Sequence, residues 1–145
     1  MLQMPKFESD KDRERQYLAA RTFCYEYDLY QEDMGEFSVV DYSIKNKKGK
    51  VVAYLEVKGC PNKNLSSSET VIVSIRKIQK LQEHQEMSGV PVIISWAFED
   101  GICFTKLSKI KGSLFMGERK GRPEAAHDKE LLYAGKVSEM NILMY

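Results

Sequence analysis

The sequence has little cysteine and no long apolar run, and each shortage excludes a class of protein. Its 145 residues include three cysteines, an odd number without the paired spacing of a zinc site: Cys24, Cys60 and Cys103. They are expected to be reduced thiols of an intracellular protein rather than parts of a disulfide framework. No apolar stretch resembles a signal peptide or could cross a bilayer. We therefore predict a cytoplasmic protein without a membrane partner.

Net charge is also scarce, because 22 lysines and arginines oppose 21 aspartates and glutamates and leave only +1. This balance excludes a generally basic coat for nucleic acid, so any phosphate binding must come from local clusters. Two clusters are present: Lys45, Lys47, Lys48 and Lys50 around a turn-like segment, and Arg119, Lys120 and Arg122 in a glycine-bounded stretch. Such clusters are more often solubilising than functional, and both interpretations stay open.

The chain is long enough to bury one core, since 43% of its residues are hydrophobic and one domain spans roughly 100–200 residues. We predict a single domain, 1–145, with a core of about 9–107 and a C-terminal extension of about 108–145. The expected elements are a helix from Ser9 to about Cys24, an outer strand at Tyr25 to Gln31, a helix at Glu69 to Ser88, a buried central strand at Val90 to Trp96, a strand at Ile102 to Leu107, and edge strands at Leu114 to Met116 and Val137 to Leu143 flanking a loop.

Between the outer strand and the second helix, two β-prone runs read as a hairpin. They are Phe37 to Lys45 and Val51 to Lys58, joined by the turn-like segment Lys47 to Lys50. If those four residues form the loop, a regular register outward from it places Asp41 directly opposite Glu56. Directly opposed side chains lie roughly 4.5–5.5 Å apart on one face of a sheet.

This register predicts one chemical face and one structural face for the hairpin. Side chains alternate along a strand, so Glu56 and Lys58 share a face, whereas the opposite face can enter a core. The core-directed residues are Val51, Ala53, Leu55 and Val57. Two opposed carboxylates repel unless a cation lies between them, and oxygen ligands without Cys or His suit Mg²⁺ or Mn²⁺ better than Zn²⁺. Lys58 would bring an ammonium to the edge of that metal site.

The predicted helices offer further polar candidates. Glu14 recurs with Leu18, Arg21 and Tyr25 at three- or four-residue spacing, so it could lie beside a buried stripe and point toward the sheet. An exposed Glu in a charged first turn is the alternative. On the second helix three polar side chains could reach a phosphate or simply flank an amphipathic helix: Ser74, Lys77 and Gln79.

The order of helix, strands, Asp41, Glu56-Val57-Lys58, helix and buried strand resembles the PD-(D/E)XK nuclease superfamily. Holliday-junction-resolvase-like and small phage-type nucleases are similar members. The resemblance covers roughly Ser9 to Leu107. It implies an α/β, restriction-endonuclease-like core, in which helices flank a central mixed β-sheet, with a C-terminal strand and loop extension. One departure is Val40, which stands where the namesake proline precedes the aspartate and lowers the specificity of the match.

The resemblance also implies roles for individual residues. By position, Asp41, Glu56 and the carbonyl of Val57 match the metal ligands, and Lys58 matches the catalytic lysine. Glu14 looks like the helix acid of resolvase-like members. The auxiliary polar position of the second helix falls among Ser74, Lys77 and Gln79.

The implied function is an endonuclease that uses Mg²⁺ or Mn²⁺ to hydrolyse DNA phosphodiester bonds, with branched or junction DNA as one candidate substrate. DNA is the expected partner, a homodimer is one expected assembly, and the host cytoplasm is the expected location if the chain is viral. The alternative is a catalytically inactive nucleic-acid or protein interaction module on the same fold. A histidine-based hydrolase is poorly supported, because His84 and His127 lack a nucleophile pattern and are expected to be surface residues.

Overall fold

The positions of helices and strands come from a computed structural model, which describes residues 10–110, 112–118 and 129–145. Within those ranges the chain forms two α-helices and nine strands. They are α1 (Asp10–Tyr27), β1 (Tyr30–Asp33), β2 (Tyr42–Lys45), β3 (Val51–Gly59), β4 (Thr70–Ser74), α2 (Ile75–Ser88), β5 (Val92–Ala97), β6 (Gly101–Lys106), β7 (Ser113–Glu118), β8 (Lys129–Lys136) and β9 (Asn141–Met144). In this part of the chain neither helix is long and apolar enough to cross a membrane.

Six of the described strands form the main sheet, in the order β1-β2-β3-β5-β6-β9. β3 and β5 run parallel, and the other neighbouring pairs are antiparallel, so the predicted mixed sheet and α/β class are confirmed. Every residue of β5 is buried, as its continuous apolar run predicted. The helix that precedes β5 supplies the crossover that a parallel neighbour requires.

Each face of the main sheet has its own hydrophobic core. α1 covers one face, where Phe23 packs with Leu55 and Phe104. α2 and strand β4 cover the opposite face, where Leu81 packs with Val73 and Ile94. The sheet is therefore covered on both sides, and a polar group on either face lies under other elements.

The β2–β3 hairpin keeps most of the predicted register. Tyr42 pairs with Leu55, Ser43 with Tyr54 and Ile44 with Ala53. Next to the turn the prediction is wrong, because Lys45 pairs with Val51 and not with Val52. Val52 is thus an extra residue of a β-bulge, a common irregularity in antiparallel pairs.

The N-terminal helix extends farther than predicted. α1 continues through Tyr27, so the outer strand begins at Tyr30 instead of Tyr25. The proposed buried stripe of this helix was also wrong, because Leu18 is 45% exposed and Tyr25 is 88% exposed. The face that packs on the sheet is formed by Ala19, Ala20, Phe23 and Cys24. Two small alanines there allow the helix to lie close to the strands.

The segment predicted as one helix from Glu69 to Ser88 is a strand followed by a helix. Residues 70–74 form β4, in which Val71 and Val73 are buried and the alternate residues of the strand are exposed or half-buried. This alternation, together with β-branched side chains, favours a strand. α2 begins after Ser74, whose side chain accepts a hydrogen bond from the Lys77 amide, and ends at Gly89 in the left-handed conformation. Ser74 is therefore the N-cap of α2.

The C-terminal residues contribute to both sheets. β9 adds an edge strand to the main sheet beside β6. β8, which the sequence did not predict, pairs with β4 and with β7, so a second sheet has the order β4-β8-β7. The Trp96 indole donates a 2.9 Å hydrogen bond to the Ile72 carbonyl and ties β4 to the main sheet.

Candidate active site

Asp41 lies directly before β2, where the chain enters the pairing with β3. Its backbone amide donates to the Leu55 carbonyl at 3.2 Å. One carboxylate oxygen, Oδ2, accepts a 2.8 Å hydrogen bond from the Val57 amide. The residue is only 9% exposed. These contacts hold the Asp41 side chain over the end of β3 that carries Glu56, Val57 and Lys58.

Glu56 is a buried acid, with 4% of its surface exposed. Among the described residues its Oε1 atom has no hydrogen-bond partner. Burial raises the pKa of Glu56 to about 7, and the neighbouring Asp41 carboxylate raises it as well, whereas the Lys77 ammonium opposes the shift. Two acids therefore meet in one buried place, and one oxygen there remains without a donor.

Lys77 connects α2 to both acid-bearing segments. Its Nζ atom lies 2.6 Å from Glu56 Oε2 and donates a 2.9 Å hydrogen bond to the Val39 carbonyl. This ion pair offsets part of the cost of burying the Glu56 carboxylate. Of the three polar candidates on the second helix, Lys77 is the one that contacts a predicted ligand.

Lys58 extends from the same face of β3 as Glu56. Burial lowers the pKa of its amine, and the Glu56 carboxylate opposes that shift. The side chain lines two cavities, of about 280 Å³ and about 880 Å³. A lowered pKa is the direction that a lysine needs if it is to accept a proton from a reacting group.

The donor set fits a hard divalent cation. Asp41 and Glu56 provide carboxylate oxygens. The backbone carbonyl of Val57, the residue between Glu56 and Lys58, adds a third oxygen. Within the residues that the structure describes, no three Asp, Glu, His or Cys side chains converge as a complete metal cage. Mg²⁺ is commonly held by one or two carboxylates while it keeps several waters, so a two-acid site matches this ion.

The other two helix candidates are placed differently. Ser74 is half-buried, caps α2 and lines the smaller cavity together with Lys58. Gln79 is exposed on α2. Ser74 is therefore close to the candidate lysine, whereas Gln79 points to solvent.

Glu14 lies apart from the two buried acids. It is exposed on α1, the helix that packs on the opposite face of the sheet from Glu56. It lines a separate cavity of about 430 Å³, and Asn62 and Phe98 line both this cavity and the large cavity beside Lys58. Glu14 thus borders the same surface region without joining the buried pair.

The lysines of the hairpin turn lie at the far end of β3. Glu56 lies six positions after Lys50 in the chain, which corresponds to roughly 20 Å of extended chain. Lys45 is paired with Glu32, and Lys47 with Asp28 at 2.7 Å, while Lys48 and Lys50 are exposed. The second predicted cluster lies outside the described residues: Arg119, Lys120 and Arg122.

Several contributors to the site were not predicted from sequence. The Ser95 hydroxyl donates a 2.9 Å hydrogen bond to the Glu56 carbonyl from the neighbouring strand β5, and Glu130 on β8 lines the smaller cavity with Lys58. No local sequence signal marks either residue, because both reach the site through strand pairing. His84 is also not the surface residue expected, since its ring packs edge-on against Tyr54 with centroids 4.5 Å apart. His127 lies outside the described residues.

The geometry agrees with what the chain is similar to. The profile of one protein family, described as "Phage putative PDDEXK endonuclease", matches residues 2–143. Among solved structures, the chain is similar to Hjc, a Holliday junction resolvase from the archaeal hyperthermophile Archaeoglobus fulgidus. The two sequences are 12% identical, and the match covers 86% of this chain and 83% of Hjc with a TM-score of 0.50. It is also similar to D212, a nuclease from a fusselovirus, with 10% identity, 97% and 90% covered, and a TM-score of 0.51. No curated protein sequence matches.

Proposed function

Because the chain belongs to this family of phage PD-(D/E)XK endonucleases, we propose that it hydrolyses DNA phosphodiester bonds with the help of a divalent metal ion. The observation that carries the proposal is the convergence of Asp41 and Glu56 with Lys58 next to a cavity. A surface module would gain nothing from burying two acids together, since each buried charge costs stability. In a cation-binding site, the bound ion offsets that cost.

Asp41, Glu56 and the Val57 carbonyl are the proposed ligands of Mg²⁺ or Mn²⁺. When bound, the ion supplies positive charge that stabilises the negative charge developing on the phosphate. Asp41 is held in place by the Val57 amide, and Lys77 holds Glu56 in place from α2. Lys77 is thus the positioning residue among the three helix candidates, while Ser74 fixes the start of its helix. Gln79 is proposed only as an outer contact to substrate.

Lys58 is the proposed general base. Water attacks phosphorus, a new P–O bond forms, and the bond to the leaving ester oxygen breaks. In this role the Lys58 amine takes the proton from the attacking water, and burial shifts its pKa in the direction that the role requires. Glu14 is proposed as an additional acid at the border of the site, acting through water, because it is exposed on α1 instead of lying in the buried pair.

Substrate contacts beyond the site are proposed to be electrostatic. Lys48 and Lys50 are the exposed cations of the turn, while Lys45 and Lys47 must first leave their acid partners. Together with the Arg119, Lys120 and Arg122 stretch, they would grip phosphates without reading sequence. Branched DNA is proposed as a substrate because Hjc, a Holliday junction resolvase, shares the fold. The homodimer is proposed from the family resemblance alone.

Purified protein incubated with Mg²⁺ and a panel of linear, nicked and branched DNAs tests the activity. We expect cleavage by the wild type and a loss of at least about 100-fold in Asp41→Asn and Lys58→Met. Lys80→Ala, a change of an exposed lysine on α2, is the matched control and should keep full activity.

The same preparations distinguish an enzyme from an inactive module. Mg²⁺ should raise the unfolding temperature of the wild type in a concentration-dependent manner, and Asp41→Asn should lose that shift. DNA binding without cleavage, and without any shift by Mg²⁺ or Mn²⁺, would support the module instead.

A further inference from the structure

One face of the second sheet is directed toward Lys58. Directly opposed residues of antiparallel strands share a face. Ser74 on β4 is opposite Leu132 on β8, which in turn is opposite Phe115 on β7. Ile72, two residues before Ser74, is on the same face. Val71 and Val73 are on the other face and belong to the core.

This face forms one side of the 280 Å³ cavity. Lys58 lines it from the main sheet. The second sheet contributes Val73 from its other face and five residues from this face: Ile72, Ser74, Leu132, Glu130 and Gly117. A Cβ at Gly117 would lie 2.3 Å from Leu132 Cδ1 and 3.6 Å from Phe115 Cε2. The absence of a side chain at Gly117 therefore lets Leu132 pack directly over its backbone, next to the Phe115 ring.

The same face is apolar and accessible, although it adjoins a site built for phosphate. Ile72 is 49% exposed and Phe115 is 40% exposed. A phosphate gains nothing from these side chains, whereas a planar nucleobase stacks favourably on an aromatic ring. In an intact duplex the base faces are already stacked on each other, so only an unpaired base can use this surface.

Resting on the proposed nuclease function, we propose that this face binds an unpaired nucleobase next to the scissile phosphate. The occupant is part of the same strand whose phosphate lies at Lys58, because Lys58 and Ile72 line both the small cavity and the 880 Å³ cavity. Ile72 and Leu132, which line the small cavity with Lys58, lie on the same face of the second sheet as Phe115, so this face connects the lysine with the ring. The preferred substrate carries at least one unpaired nucleotide beside the cleaved bond.

The test uses two oligonucleotides that contain 2-aminopurine, a base whose fluorescence falls when it stacks. In one, 2-aminopurine is the first unpaired nucleotide of a short flap at a duplex end, and in the other it is fully paired. Binding is measured in EDTA, so that no metal-dependent cleavage interferes. We expect the wild type to bind the flap roughly 5- to 100-fold more tightly than the duplex and to quench its fluorescence.

Substitutions on β7 separate stacking from general stability. Phe115→Ala should remove both the preference for the flap and the quenching. Phe115→Tyr, which keeps an aromatic ring, should retain both. Leu114→Ala is the matched control, because Leu114 is the adjacent residue, is 59% exposed and points to the opposite face. Equal affinity of the wild type for flap and duplex, or an equal loss in Leu114→Ala and Phe115→Ala, would overturn the inference.

Cleavage in Mg²⁺ separates this inference from the function on which it rests. Cleavage of both DNAs at equal rates by the wild type would sink the unpaired-base inference and leave the nuclease proposal intact. Flap binding with Phe115-dependent quenching, but no cleavage of any DNA, would sink the nuclease proposal and leave the binding of an unpaired base intact.

Discussion

The two faces of β3 carry buried side chains of opposite character. Leu55, on the face toward α1, is 0% exposed, and Glu56, on the face toward α2, is 4% exposed. Burying a leucine side chain stabilises the fold by roughly 1.5–3 kcal/mol. Burying a carboxylate costs stability, and the Lys77 ion pair offsets only part of that cost. One strand therefore holds the fold together on one side and keeps a reactive acid out of water on the other.

A ligand can therefore stabilise the α2 face more than the α1 face. The α1 face needs no ligand, because buried apolar side chains already pack against one another there. On the α2 side, a raised pKa for Glu56 and an unpartnered Oε1 among the described residues mark a carboxylate that would gain from a cation. Substitutions on the two faces should consequently separate stability from activity.

The largest stability effect is expected on the α1 side. Leu55→Ala should lower the free energy of unfolding by about 2–5 kcal/mol, through lost burial and a cavity in the core. Urea denaturation measures this loss. Nuclease activity per folded molecule should stay near the wild-type value at a temperature where the variant is folded. A cost below about 1 kcal/mol would show that this face is not the tightly packed one.

On the α2 side we expect a pH effect of opposite sense to that of an ordinary salt-bridged acid. The pKa of Glu56 is raised from 4.5 to about 7, so its protonated form favours folding. The contribution is fully present below pH 4.5 and is lost as the pH rises through about 7. Each pKa unit corresponds to roughly 1.4 kcal/mol, so the loss is on the order of 3 kcal/mol.

Urea denaturation from pH 4 to 8 measures this contribution without metal. Glu56→Gln should flatten the curve, whereas Glu83→Gln, which changes an exposed acid on α2, should leave it unchanged. Added Mg²⁺ should restore stability at pH 8, because it binds the ionised acid. A wild-type curve that rises from pH 5 to 8 would contradict a buried Glu56 with a raised pKa.

The smallest effect is expected at the turn, far from both faces. Lys48→Ala should lower the slope of log affinity against log salt concentration for duplex DNA by about 0.9, as expected for one lost phosphate contact. Fluorescence anisotropy at several salt concentrations measures the slope. Lys80→Ala is the control, and equal slopes for the two variants would remove the turn from the proposed DNA contacts.

Local patterns predicted the hairpin well and the region after it poorly. The alternation of Val51 to Lys58 is enough to orient Glu56 and Lys58 to the face opposite Leu55, and three of the paired positions follow from the turn. Residues 69–88 misled because Val71, Ile75 and Ile78 also fit helical spacing. What makes residues 70–74 a strand is pairing with β8, about sixty residues later in the chain.

The amino-acid order by itself determined the chemistry of β3, since alternation along a strand assigns each side chain to a face whatever surrounds it. Only the tertiary structure decided that Lys77 contacts Glu56, because that contact depends on where α2 begins, and the long-range pairing of β4 sets that start. The same pairing brought Leu132, which lies opposite Phe115, to the cavity that Lys58 lines. Contacts between residues distant in sequence arise from packing, which no local periodicity encodes.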